Sequence, residues 1–147
     1  EKSLRAGSLK SAFQYFSASL KEMASPVWSK CSVDESSYFQ VDLRQTKSVP
    51  ATFTKGDTVS LELHGAAFKQ MKVEEIRIYV KVAGVPFYHE SHSIEKDLDF
   101  GFPFEYSISW PIPSYAPSGE FATEIQVISK IKGKEATVGC AEVVFKL

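Results

Sequence analysis

The chain reads as all-β, an antiparallel sandwich with an amphipathic helix added at its N-terminus. Three observations predict this. After Pro26 apolar and polar residues alternate, the period of a strand with one buried face. Turn signals recur through the same stretch, at Lys55-Gly56-Asp57, Gly84, Gly101, Pro111-Ile112-Pro113 and Pro117-Ser118-Gly119. The two cysteines, Cys31 and Cys140, bracket nearly all of the strand-like sequence.

Residues 1–25 form the first element. Leu9, Ala12, Phe13, Phe16, Leu20 and Met23 recur at three- and four-residue steps, which puts them on one face of a helix. Ser3 or Ser8 serves as its cap, and Pro26 ends it. Lys2, Arg5, Lys10 and Lys21 outnumber Glu1 and Glu22, so the segment is basic. Such a helix can lie in a membrane interface or cover an apolar opening.

Residues 26–147 form the second unit. Tyr38 to Leu43 alternates, with Val41 on the apolar side, and Val59 to Leu63 alternates with Leu61 and Leu63 inward. The longest run is Val73 to Phe87, where Ile76, Ile78, Val80 and Val82 share a face. Phe104, Tyr106, Ile108, Trp110 and Ile112 form another face, and Pro111 and Pro113 end that strand or keep it at an edge. Phe121 to Ile131, with Ile125 and Val127 inward, pairs with Val138 to Leu147 through Lys132-Gly133-Lys134. The stretch from Tyr88 to Phe100 reads as a loop. These inner faces are rich in aromatic residues, which either fill a core or hold two sheets apart around a cavity.

An even cysteine count with this placement points to one disulfide joining the first strand region to the last. Its loop of roughly 100 residues corresponds to ~4–5 kcal/mol in chain-entropy terms. The alternative is two unrelated buried thiols in a cytosolic protein.

The bulk numbers narrow the function. At 147 residues, 44% of them hydrophobic and 24% charged, the chain has the composition of one globular domain. A net charge of −1 without a basic cluster argues against nucleic-acid binding. The sequence has no asparagine, so N-glycosylation is excluded. Residues 1–25 lack a secretory apolar core, so a secreted form would already have lost its signal peptide. No nucleophile elbow, phosphate loop or dinucleotide fingerprint occurs, which favours binding over catalysis. His89 and His92 flank Glu90 without a clear third ligand, so neither a metal nor a cofactor is expected.

With these residues laid out, the chain resembles the ML family of lipid-recognition domains, and within it the ganglioside-activator branch. The likeness rests on Trp28-x-x-Cys31, on Lys55 to Leu61, on Ala83-Gly84-Val85-Pro86-Phe87, which is similar to a rim segment of the Niemann–Pick type C sterol carrier, and on Pro117 to Phe121 with Gly133-Lys134 and Gly139-Cys140. It spans residues 28–147. It implies an immunoglobulin-like sandwich of two antiparallel sheets enclosing an apolar cavity, with Cys31 paired to Cys140. The internal disulfides common in the family are missing, and residues 1–25 are not part of its usual domain.

The expected function is non-enzymatic lipid binding, transfer or presentation in a secretory, endolysosomal or vacuolar lumen. The expected lipid-binding set is Val41, Leu61, Leu63, Ile76, Ile78, Val80, Phe104, Tyr106, Ile108, Trp110, Phe121, Ile125 and Val127. The expected mouth, or membrane contact, is Val85, Pro86, Phe87 and Tyr88 together with Phe100 and Phe102, apolar residues in glycine- and proline-rich stretches. The expected partners are a phospholipid, glycolipid or sterol, a transient membrane contact, and a lipid-processing enzyme or receptor. Two alternatives stand beside this reading: a cytosolic prenyl-binding chaperone with a helical arm, and a plain immunoglobulin-like interaction module with a filled core.

Overall fold

The computed structural model describes residues 26–147, and the helix expected over residues 1–25 lies outside them. The described residues form nine strands in two antiparallel sheets and contain no helix. The strands are β1 (Val27–Lys30), β2 (Phe39–Val41), β3 (Lys47–Val49), β4 (Thr58–Ala67), β5 (Met71–Val82), β6 (Val85–Leu98), β7 (Pro103–Pro111), β8 (Glu120–Ile131) and β9 (Lys134–Lys146).

The five-stranded sheet has the order β1-β9-β8-β5-β6. In the second sheet β4 is central. It pairs with β7 along one edge, and with β2 and β3 end to end along the other. The turns follow from the sequence. Ala83-Gly84 and Lys132-Gly133 both take positive φ, the conformation of tight hairpins that glycine adopts without penalty.

Alternation sets the inner faces. β4 and β8 each bury every second residue over most of their length. The core runs from Phe39, Leu63 and Val127 to Phe53, Phe121 and Phe145. One ring joins the layers. Phe39 of β2 packs on Gly65 of its own sheet and on Gly139 of β9 in the other. A methyl group at Gly139 would meet the Phe39 ring at 2.7 Å. Both positions therefore need glycine for close approach rather than for backbone freedom.

Cys31 and Cys140 are bonded, with their Cα atoms 5.1 Å apart and 109 positions of chain between them. The bond joins the end of β1 to β9, neighbours in one sheet, and does not cross between the layers. It pins the edge strand that brings residue 26 to the sandwich.

The stretch from Tyr88 to Phe100 departs from expectation. Most of it is β6, a 14-residue edge strand paired only to β5. Glu90 and His92 occupy inward registers there, opposite Ile78 and Ile76, and hide the strand period from a hydrophobicity reading. The Val73–Phe87 run is accordingly two strands and a turn.

We expect Gly139→Ala to cost about 1–3 kcal/mol, as overpacking does. Phe39→Leu in the same chain should recover part of that loss. Urea denaturation of the four proteins checks this. Strictly additive losses would mean that the Phe39 ring is not what the new methyl meets.

Candidate functional site

The thirteen residues of the expected lipid-binding set lie on the inner faces. Eleven are buried, and Tyr106 and Trp110 are half-buried beside the core. Of the thirteen, Val41, Val80 and Phe104 border the three clefts described below.

The expected mouth is divided. Val85 to Tyr88 begins β6, whereas Phe100 and Phe102 lie beyond its other end. At ~3.3 Å per residue the strand holds the two groups about 40 Å apart, so they cannot rim one opening. Both groups are exposed, Phe87 at 58% and Phe100 at 76%.

The β5–β6 hairpin is the more structured of the two ends. The ladder pairs Val80 with Tyr88 and Lys81 with Pro86, which leaves Phe87 as the extra residue of a bulge. A bulge re-aims a side chain. Here it lays the exposed Phe87 ring edge-on against Phe121, which is 1% exposed, at 6.3 Å between centroids. The contacts continue inward. Phe121 stacks on Phe145 at 5.4 Å, Phe145 meets Trp110 at 5.5 Å and Phe53 at 4.3 Å, and Phe53 lies 6.2 Å from Trp110. An unbroken series of rings thus leads from the surface into the space between the sheets.

A cleft of about 500 Å³ adjoins Phe87 on the outer face of the five-stranded sheet. Tyr79, Pro86, Phe87 and Tyr88 supply its apolar wall, and Lys81, Glu124, Gln126 and Glu142 its polar one. A second cleft of about 300 Å³ sits by the disulfide and reaches Phe39 and Val41. A third, of about 970 Å³, lies on the other sheet and is bordered by Arg44, His64, Lys96 and Glu105.

The gap between β6 and β7, the adjacent edges of the two sheets, is lined by a polar group. His92 and Glu90 are hydrogen-bonded at 2.7 Å, and the His92 ring lies 6.0 Å from that of Tyr106. Burial, and then the Glu90 carboxylate, hold the Tyr106 hydroxyl above the usual tyrosine range. Burial comes first for Tyr88 too, followed by the charge of Glu90 and a hydrogen bond to it. His89 and His92 do not converge. His89 pairs with outward-facing Tyr79 and His92 with inward-facing Ile76, so three residues along a strand place them on opposite faces.

A cluster that the sequence reading missed is Glu62, His64 and Glu105 on the outer face of the four-stranded sheet. Its signal was present: Glu62 and His64 stand two apart in an alternating strand and share a face. Glu105 joins them only through the β4–β7 register, which no local pattern announces.

No protein-family model matches the chain, and no curated protein sequence matches it. Solved structures share its fold. The C-terminal domain of wzt superimposes with a TM-score of 0.56 at 8% identity, over 82% of this chain and 77% of that one. A Niemann-Pick type C2 protein from the Japanese carpenter ant gives 0.54 at 10% identity, over 82% of this chain and 98% of the other. The second likeness accords with a distant ML-like fold.

Glu90→Gln should let Tyr88 and Tyr106 ionise at lower pH, closer to free tyrosine, because the mutation removes the negative charge that opposes tyrosinate. A tyrosine raised on folding stabilises the native state below the ordinary tyrosine range and loses that contribution as pH rises through the folded value. Tyrosinate absorbance followed through an alkaline titration, before unfolding, checks this. Identical curves for the two proteins would place Glu90 outside the reach of both hydroxyls.

Proposed function

We propose that the protein is a non-enzymatic lipid-binding domain that takes an apolar chain between its sheets at the β5–β6 hairpin. The observation that carries this reading is the ring series from exposed Phe87 to buried Phe121, Phe145 and Trp110. An apolar ligand can replace Phe87 against Phe121 and advance along contacts that are already apolar. Each methylene buried contributes about 0.8 kcal/mol, the term that offsets the parting of packed side chains. Val85, Phe87 and Tyr88 project from the hairpin and would meet a membrane first.

The fold shared with the Niemann-Pick type C2 protein and the ML-like motifs support the same reading. The disulfide supports an oxidising, luminal or extracellular setting over that of a cytosolic prenyl chaperone. The cleft beside the disulfide is the weaker candidate for passage, because Lys30, Ser36 and Gln40 line it and the covalent bond fixes its wall.

The contiguous cluster of buried apolar side chains supports a second reading, a plain interaction module. Lipid extraction followed by mass spectrometry of the purified protein separates the two. Bound lipid is expected, and a protein that neither carries nor extracts lipid supports the module.

Phe87→Glu should slow transfer between vesicles by about tenfold, the factor for ~1.4 kcal/mol. The exposed Phe100→Glu, at the far end of β6, should change it little. Equal effects from the two substitutions, or none from either, would count against the hairpin as the way in.

A further inference from the structure

We propose that Glu62, His64 and Glu105 form a site for a divalent transition metal, on the outer face of the four-stranded sheet and separate from the hairpin. The imidazole Nε2 of His64 lies 3.2 Å from a Glu105 oxygen and 3.5 Å from a Glu62 oxygen. The three donor atoms all fall within 4.8 Å of one another. In a tetrahedral zinc site with bonds of ~2.0–2.2 Å, neighbouring ligand atoms stand about 3.3–3.5 Å apart. The two His64 contacts match that spacing.

Both contacts are longer than a short charge-assisted hydrogen bond. A charge-assisted N–H···O contact measures ~2.7–2.9 Å, and this protein contains one, His92 to Glu90 at 2.7 Å. His64 Nε2 has no hydrogen-bond partner among the described residues, and the atom is closed to solvent. A buried nitrogen without a partner is costly. Two carboxylates brought together on one face also repel, and a divalent ion relieves both costs.

The frame is rigid. Glu62 and His64 stand two apart on β4, and Glu105 is the direct cross-strand partner of His64 on β7. The His64 backbone N–H donates to Thr46 Oγ1 at 3.1 Å, and its carbonyl accepts from the Asp42 N–H at 2.8 Å. His64 and Glu105 border the cleft of about 970 Å³, which leaves room for a fourth ligand from solvent or a bound anion.

The test is calorimetric titration of the full chain with Zn2+ after treatment with a chelator, repeated with Co2+ and read by visible absorption. One metal per chain is expected, and His64→Gln should abolish binding. Glu105→Gln should weaken it by about tenfold or more, since even outer ligand partners cost 10–100-fold. The Glu105 side chain is 63% exposed, so this variant tests the site without endangering the fold. A His89→Ala/His92→Ala double variant should bind as the parent does. Absence of binding by the parent, undiminished binding by Glu105→Gln, or loss confined to the double variant would each overturn the assignment.

Discussion

Between the chain crossings, the two described sheets are held together by side chains. Every ladder closes within its own sheet, and the disulfide joins β1 to β9 in a single layer. Cohesion between layers therefore rests on the inward rings, with Phe39 seated between two glycines on one side and Phe145 among Phe53, Trp110 and Phe121 on the other. No ladder between strands of different sheets opposes their parting, which is the property the proposed ligand entry uses.

The hairpin end is favoured for a mechanical reason as well as a chemical one. β6 is an edge strand held by β5 alone, and its first turn is interrupted by the bulge at Phe87. Displacing Phe87 costs the contacts of one half-exposed ring. Displacing Phe39 would cost the contacts that join both layers. The polar group of Glu90, His92 and Tyr106 lies farther along the same gap, where the proposed function would have it meet the part of a ligand left outside the core. The Glu62–His64–Glu105 face turns away from this gap, so the two proposed sites share no residue.

Much of the fold was legible in the residues. Alternation in β4, β7 and β8 identified the inward registers, because each of these strands has one face against the core. The cysteine placement pointed to the bond that is observed. β6 was not legible as a strand, because an edge strand with Glu90 and His92 in inward registers carries no hydrophobic period. For the same reason Phe87 and Phe100 looked like neighbours in one rim, when a whole strand separates them. Alternation over Tyr38 to Leu43 marked β2, whereas the three-residue β3 is too short to display a period. Glu105 could not be joined to His64 without the β4–β7 register, which depends on long-range pairing.

The central claim is that an acyl chain enters between the sheets at the end where Trp110 lies. The chain contains two tryptophans, so Trp28→Phe leaves Trp110 as the sole reporter. Its fluorescence should be quenched by a phospholipid whose acyl chain carries bromine, and left unchanged by the same lipid without bromine. Bound brominated lipid that leaves Trp110 unquenched would contradict the account.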